Sequence, residues 1–536
     1  MANKLLKYCN TLYDSLTDEA RKFSPRWKEF ERFYRPVNSI DGKVNETSNG
    51  VYTAEASYCW GMLANGLYSY MIPDKSYFFS LKYGLEDNTQ LRRLESENSK
   101  KIHFYLEQTN FREEVYKAIR DCSGYGTSSM FMEFKREKGL SRFIFKTFPI
   151  DSIFPLRDYK TGELTTVIRK FELSPDDAAN LFGVDSLAAQ VKNKVGLPAY
   201  INTKSEYLHI VTSDEIATYA DIDGFKLHPM HKFKSIYIDK SHNHIVSSDG
   251  GFETMPYIVP MYLQLDYSQY GTSDALEFLA ETRMFNTILR ICMYNLEMIS
   301  NPPLLDPMGS FENKQVRPGA ILTTLPNSDK PEFLKVDANP NAILELISYQ
   351  RQVLRQMMKV DLFQRLSDKK YLTAYQASEI AGEGLDMLSP IVNNLQQMLL
   401  RPIIEKAHHY LVKSELIEKP NIDEMTIEYL GKLAFAVKSL ENRSAVELVN
   451  AAGMVAQFNP EAIDVINWDK LIKDFSYNTG APTSWILNDN KITEKRNARA
   501  QQEAIARTSE DAKNIGSAVA NLGKGIDPNS ILGGLM

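Results

Sequence analysis

The chain has 536 residues and a formal net charge of −6 at neutral pH, so its length permits two or more domains, whereas its charge excludes the overall basic balance that predicts nucleic-acid binding. Any contact with DNA therefore has to come from local basic patches. Four widely spaced cysteines without a CxxC pair exclude a disulfide framework and fit buried free thiols in a reducing compartment.

Residues 1 to 272 mix helical and strand patterns. Helices are predicted in residues 3 to 35, divided near Ser24-Pro25, and at 53 to 71, 88 to 121 and 175 to 182. The part after Pro25 carries an aromatic stripe typical of a core, formed by Trp27, Phe30, Phe33 and Tyr34. Alternating apolar residues predict strands at 128–134, 142–148, 164–171, 206–212, 233–238 and 258–265. These patterns together predict one α+β body.

The next stretch predicts a helix, a connecting segment and a second helix. The first helix begins at Ser273 or Asp274 and ends at Asn301-Pro302-Pro303, because proline removes a donor and restricts the residue before it. The second begins at Asn339-Pro340, an N-cap followed by proline at the first helical position. At 1.5 Å per residue the helices are about 40 and about 30 Å long. Two such helices form a stalk, with the connecting segment at its tip.

Two interpretations of the stalk stay open. Its first helix is apolar on more than one side, which fits a helix inside a large globular core or a stalk helix packed against neighbouring subunits. Its second helix carries Arg351, Arg355 and Lys359 on one face. Three alternatives remain for this basic face: it is exposed to solvent, it forms ion pairs with Glu277 and Glu281, or it contacts phosphates in a channel.

The remainder of the chain is mainly helical in pattern. A polar segment, 362–372, precedes a long helical pattern from Thr373 to about Lys413, in which Pro390 and Pro402 predict bends. A strand is predicted at 425–430, followed by helices at 431–457, 460–475, 482–488 and 493–520 and a glycine-rich tail.

No catalytic motif stands out. The sequence contains no GxxxxGK[ST], GxSxG or HExxH pattern, and no stretch approaches the roughly 18 apolar residues of a membrane span. His228, His231, His242 and His244 form a histidine cluster, but without a nearby cysteine or clear carboxylate partner they do not predict a metal site. His408 and His409 are expected at a surface or interface. No enzyme activity, cofactor or metal is predicted.

Short motifs occur along most of the chain in a consistent order. They are Gly124-Tyr125-Gly126-Thr127, Phe148-Pro149-Ile150, Tyr270-Gly271-Thr272-Ser273 with Arg283-x-x-Asn286, Pro302-Pro303-Leu304-Leu305, Arg317-Pro318-Gly319-Ala320-Ile321, Leu372-Thr373-Ala374-Tyr375-Gln376, Arg401-Pro402-Ile403-Ile404 and Gly480-Ala481-Pro482. Together they resemble the head-to-tail connector, or portal, proteins of short-tailed (podovirus-type) bacteriophages. Gln376 stands where that family usually has glutamate, and it can still cap a helix.

The resemblance implies a mainly helical α+β fold with the portal architecture. Its parts are a wing (1–272), a first stem helix (273–300), a clip (301–338), a second stem helix (339–361), a tunnel loop (362–372), a kinked wing helix (373–424), and a crown with a C-terminal tail (425–536).

It also implies a homo-oligomeric ring, usually a dodecamer, at one capsid vertex of the virion, at the head-tail junction. Such a ring conducts double-stranded DNA during packaging and ejection, without sequence specificity and without membrane contact. Its partners are the terminase large subunit, the tail adaptor, and the major capsid and scaffolding proteins, and it assembles in the host cytoplasm. Two alternatives remain: a phage head or tail adaptor without a DNA channel, and a nucleic-acid enzyme, which would need a metal or nucleotide site.

Two sets of site residues follow from the resemblance. The candidates for contact with DNA are Arg365, Lys369 and Lys370 in the tunnel-loop position, followed by Arg351, Arg355 and Lys359 on the second stem helix. The candidates for partner docking lie in the clip and are Asp306, Met308, Phe311, Glu312, Lys314 and Arg317.

Overall fold

The computed structural model describes residues 2–35, 50–74, 77–84, 89–137, 140–213, 231–265, 268–302, 304–305, 332–333, 340–367, 387–420, 424–430, 445–455, 465–478, 491–502, 504, 513–515 and 517. The chain divides into two compact units, Met1–Ala434 and Phe435–Met536.

Helices dominate the described part of both units. Those of the first unit are α1 (Ala2–Tyr34), α2 (Glu55–Met71), α3 (Thr89–Glu107), α4 (Phe111–Tyr125), α5 (Pro175–Phe182), α6 (Ala189–Lys192), α7 (Asp274–Glu277), α8 (Leu279–Ser300), α9 (Pro340–Met357), α10 (Val360–Ser367) and α11 (Arg401–Lys413). Helical residues 387–395 and the π-helical turn Gln396–Leu400 lead into α11. The second unit contains helical residues 445–455 and 491–502 and α12 (Trp468–Asn478).

Within the described residues, the strands all belong to the first unit. They are β1 (Phe79–Tyr83), β2 (Ser129–Glu137), β3 (Leu140–Phe148), β4 (Ile153–Arg157), β5 (Leu164–Leu173), β6 (Ser205–Ser213), β7 (Phe233–Asp239), β8 (His244–Phe252), β9 (Tyr257–Ile258), β10 (Leu304–Leu305), β11 (Glu332–Phe333) and β12 (Met425–Tyr429). They form a three-stranded sheet in the order β3-β2-β9, a five-stranded sheet in the order β4-β5-β6-β7-β8, and the pairs β1-β12 and β10-β11. All of these pairings are antiparallel. The mainly helical α+β class is confirmed.

The long helix α1 departs from the prediction of two helices, because it continues through Pro25. Its aromatic stripe is buried, as predicted. Phe30 stacks on Tyr34 with ring centroids 4.7 Å apart and meets the edges of Trp60 in α2 and Tyr125 in α4 at 5.2 and 4.8 Å. This packing on α2 and α4 keeps the chain helical beyond Pro25, although proline removes one hydrogen bond of the helix.

Most predicted strands are confirmed, but the one predicted at 258–265 is wrong over most of its length. Only Tyr257–Ile258 pairs as a strand, after which Met261 and Leu263 make single bridges to Thr127 and Thr272. The two sheets are joined by His209 of β6, whose Nδ1 lies 2.7 Å from the Tyr257 hydroxyl of β9. His209 Nε2 also lies 2.9 Å from Ser235 Oγ, so the buried imidazole has a polar partner at both nitrogens and links the two sheets.

The start of the stalk and the two helix ends at its tip agree with the sequence prediction. The first helix is interrupted at Phe278, however, and the second ends at Met357, so the prediction that Lys359 continues this helix is wrong. Ser273 caps α7 by accepting a hydrogen bond from the amide of Leu276, and α8 ends at Ser300, just before the prolines. α9 begins at Pro340. The helices α8 and α9 are called the stem hairpin below, and Gln350 Nε2 joins them by donating to Glu281 Oε2 at 3.1 Å.

The polar loop predicted from residue 362 is wrong for its first part, because residues up to Ser367 form α10. Val360 and Phe363 of α10 are buried, and the Phe363 ring fills the space beside Gly66 of α2, where a Cβ atom would lie 2.4 Å from it. The division into wing, stem, clip, tunnel loop and crown stays a prediction.

Candidate functional site

The stem hairpin leaves the body where two of the sequence motifs meet. Residues Gly124–Thr127 end α4, residues Tyr270–Asp274 lead into α7, and together they are called the stem base. Ser273 Oγ donates to the carbonyl of Gly124 at 2.6 Å, and the amide of Gly271 donates to Thr127 Oγ1 at 2.8 Å. These bonds attach the start of the stem to the end of α4.

Glycine is required on both sides of the stem base. Gly126 has φ +78°, and a Cβ there would lie 2.5 Å from the backbone oxygen of Gly271. A Cβ on Gly271 would lie 2.5 Å from the backbone oxygen of Leu263. The two chain segments therefore approach each other at distances that only glycine permits.

A partly buried ion pair joins the stem base to the chain that follows α9. Lys359, at φ +56° between α9 and α10, forms an ion pair with Asp274 in the first turn of α7. Asp274 also accepts a hydrogen bond from the Tyr262 hydroxyl at 2.6 Å and is 5% exposed. The carboxylate thus connects both ends of the hairpin to the body.

The two arginines of α9 are paired as well. Arg355 Nε lies 2.6 Å from Glu55 Oε1 and Arg351 Nε lies 3.5 Å from Glu55 Oε2, at the first turn of α2. The expected ion pairs with Glu277 and Glu281 are wrong, because α2 brings Glu55 against this face of α9. Within the single chain, each of the three cations that the sequence offers as second candidates for DNA contact therefore has a carboxylate partner, although Arg351 and Arg355 share the one charge of Glu55.

The first stem helix is held to the body by its motif residues. Asn286 Oδ1 accepts from the amide of Tyr52 at 2.8 Å, while its Nδ2 donates to the carbonyl of Gly50 at 2.7 Å. Arg283 Nε donates to Glu29 Oε1 of α1 at 2.8 Å. The Arg283-x-x-Asn286 motif thus anchors the lower half of α8.

The stem hairpin exposes many large apolar residues in the single chain. Exposed fractions range from 37% to 65% for the large apolar residues Met284, Ile291, Met293, Tyr294, Leu296 and Ile299 of α8 and Leu344, Leu346 and Tyr349 of α9. Leu279, Phe285 and Cys292 of α8 are buried. The interpretation of α8 as a helix inside the core of its own chain is therefore wrong, and this surface fits contact with another protein chain.

The remaining predicted site residues fall at the edge of the described structure or beyond it. The backbone of Arg365 belongs to α10. Lys369 and Lys370 lie outside the described residues, as do the clip candidates Asp306, Met308, Phe311, Glu312, Lys314 and Arg317.

The histidines are separated into different local contacts. His242 Nδ1 lies 2.9 Å from Asp239 Oδ2, and His244 Nε2 lies 3.0 Å from the carbonyl oxygen of Ser186. His408 Nε2 lies 3.0 Å from the Tyr83 hydroxyl and this residue is half-buried, whereas His409 is exposed, as predicted, and lies 3.1 Å from Glu253 Oε2. His228 lies outside the described residues. In the described part of the chain, no group of three or more His, Cys, Asp or Glu is arranged to hold a metal ion.

The cysteines are free and buried, as the sequence predicts. Burial raises the pKa of both Cys9 and Cys59 to about 12. Such thiols stay protonated at neutral pH and are poor nucleophiles. Among the helices described, none combines the length and apolarity needed to cross a membrane.

Sequence reasoning missed Glu55 and Tyr262. Glu55 stands in the first turn of a helix, where a carboxylate is common, and nothing in the local pattern links it to residues 300 positions later. Tyr262 lies in a stretch that reads as a plain strand. The motifs around Gly126 and Gly271 were detectable, but their contact was not.

Comparison with known proteins assigns the chain to a family. The model of the family described as bacteriophage head to tail connecting protein matches residues 6–487. The chain is 26% identical over 374 residues to the portal protein of Salmonella phage epsilon15, covering 67% of this chain and 66% of that protein. It is 23% identical over 358 residues to the probable portal protein of Bordetella phage BPP-1, covering 64% of this chain and 63% of that protein. These matches span slightly less than two thirds of each relative. The family model covers most of the chain, which therefore belongs to the bacteriophage head to tail connecting proteins.

Proposed function

We propose that the chain is a phage portal protein whose copies form a closed ring, a dodecamer, at one capsid vertex. The observation that carries this proposal is the stem hairpin, which is anchored to the body at the stem base and exposes large apolar residues of α8 and α9 in the single chain. A head-to-tail interface that closes on itself buries such a surface in every copy. The portal names of the two relatives support the same function.

The ring is proposed to conduct double-stranded DNA during packaging and ejection. The proposed phosphate contacts are Arg365, Lys369 and Lys370, because three cations close together on an acidic chain form a local basic patch. Arg351, Arg355 and Lys359 come second, since Glu55 and Asp274 already pair with them. Contacts with phosphate alone carry no sequence information, which suits a channel through which a whole genome moves.

The clip, residues 301–338, is proposed to dock the terminase large subunit during packaging and the tail adaptor afterwards. Contacts with the major capsid and scaffolding proteins are proposed for assembly in the host cytoplasm. In this function the protein is a structural component and catalyses no reaction.

The first test is negative-stain electron microscopy of the purified protein together with its mass by light scattering. We expect a ring with a central hole and a mass near that of twelve chains of 61.1 kDa each. A monodisperse monomer at all concentrations would contradict the proposal and favour an adaptor without a channel.

A further inference from the structure

Three charged residues of the stem hairpin differ from the rest of its charged residues. Among the residues that the structure describes, Arg283, Arg351 and Arg355 each have a carboxylate partner, and Glu281 accepts from Gln350. Within the same described part, Arg290 and Glu297 of α8 and Glu345 of α9 are exposed and have no ionic partner. These three charges remain available to another chain.

Arg290 and Glu345 lie on opposite outer sides of the hairpin. The contact between Glu281 and Gln350 marks the sides on which α8 and α9 face each other. At about 100° per residue, Arg290 is turned about 180° from Glu281, and Glu345 is turned about 140° from Gln350. The arginine therefore points away from α9, and the glutamate points away from α8.

Both charges lie within the exposed apolar surface. Arg290 is next to Ile291 and one helical turn from Tyr294, which are 49% and 61% exposed. Glu345 lies between Leu344 and Leu346, which are 60% and 46% exposed. A chain that covers either surface also removes water from its central charge, and such a charge then needs an opposite partner.

The two charges stand at similar heights along the hairpin. Arg290 is about 14 Å above the level of the Glu281–Gln350 contact, and Glu345 is about 8 Å above it on the antiparallel helix. The difference of about 6 Å is close to one helical turn. When identical hairpins stand side by side in a ring, the outer side of α8 in one copy therefore meets the outer side of α9 in the next at this level.

We propose that Arg290 of one copy forms an ion pair with Glu345 of the next copy, and that this pair sets the register of neighbouring hairpins. The inference rests on the proposed ring. A second copy of the chain is the occupant, because each surface offers the charge that the other lacks and the two can meet around a closed ring. The apolar residues supply the buried area, while the ion pair selects one alignment.

A charge swap tests the pair. Arg290→Glu and Glu345→Arg are made singly and together in the full chain, and the fraction of ring is measured by light scattering and negative-stain microscopy. Each single reversal places like charges at every interface, so we expect the protein concentration for half-assembly to rise about tenfold or more. The double swap restores opposite charges and is expected to return assembly to within about threefold of the wild type.

Glu297 provides the matched control. Glu297→Arg makes the same charge change as Glu345→Arg, but on α8, and combined with Arg290→Glu it is expected to leave assembly impaired. Far-ultraviolet circular dichroism checks that each variant is folded. Unchanged assembly of both single variants would overturn the pairing while the ring stands, as would a double swap that fails to restore assembly. A wild-type protein that forms no ring would instead overturn the proposed function, and the pairing with it.

Discussion

The ion pair between Asp274 and Lys359 is predicted to hold the stem hairpin to the body. The side chains are 8% and 21% exposed, so water screens their attraction only weakly. Asp274→Asn keeps the shape of the side chain and an acceptor for the Tyr262 hydroxyl, but it leaves the ammonium of Lys359 without a counter-charge. Losing a hydrogen-bonded charge in such a place costs about 1–3 kcal/mol.

A double-mutant cycle with Lys359→Met isolates this interaction. Each single variant is expected to lower the free energy of local opening at the stem base by about 2 kcal/mol, and the double variant by about 1–3 kcal/mol less than the sum. Hydrogen exchange read by mass spectrometry on peptides spanning α7 and the junction of α9 with α10 measures this opening. A change of about 2 kcal/mol appears there as an approximately 30-fold loss of protection.

The ion pair between Glu29 and Arg283 is the control, because its side chains are 29% and 60% exposed. Its coupling energy is expected to be below about 1 kcal/mol. If the effects at Asp274 and Lys359 add to within about 0.5 kcal/mol, the two residues are not coupled and the reasoning about the stem base is refuted.

Three further outcomes are expected. Gly126→Ala adds a Cβ 2.5 Å from a backbone oxygen across the stem base and should lower the midpoint of thermal unfolding sharply. The control is Gly162→Ala, also at positive φ but in open space, which should cost only about 1–2 kcal/mol of backbone strain. Equal effects of the two variants would contradict the packing argument. Burial lowers the pKa of His103 from 6.5 to about 4, so the unfolded chain binds a proton that the folded chain does not, and stability falls as the pH drops from 6.5 towards 4. His103→Phe should reduce that slope by up to about 1.4 kcal/mol per pH unit in urea titrations at several pH values, and an unchanged slope would assign the acid sensitivity elsewhere. Lys369→Glu with Lys370→Glu should reduce DNA packaging or retention in infected cells without preventing ring formation, and normal packaging and retention would remove these residues from the channel.

The end of α8 and the start of α9 could be predicted from sequence, because local chemistry determines both. Proline after Asn301 prevents continuation of α8, and proline at position 340 suits the first position of α9. The aromatic stripe of α1 was also evident, because apolar residues at helical spacing must be buried.

Features that depend on distant partners could not be predicted. Pro25 lies inside α1, and α2 and α4 pack against the turns that follow it. β1 pairs with β12, so Phe79 lies opposite Tyr429, which is far from it in the sequence. No local pattern indicates such a pairing. The sequence did not predict β4 and β8. β4 contains Pro155, and β8 is a polar edge strand with adjacent glycines.

For the site, the sequence likewise indicated the residues but not their partners. The cations of α9 were evident as a row, but their carboxylate partner comes from α2, so the row gave no indication of whether the charges were free. The contact between Gly126 and Gly271 likewise depends on how α4 and α7 meet. Charge and motif can be read along the chain, whereas pairing is a property of the folded chain.

The central claim is that the stem hairpins of neighbouring copies line a common channel. Cryo-electron microscopy of the assembled protein tests it most directly. The account predicts a closed ring whose central hole is bounded by α8 and α9, with Arg290 of each copy beside Glu345 of the next. A ring with these helices at its outer edge, or an assembly in which their apolar surfaces contact no neighbouring copy, would contradict it.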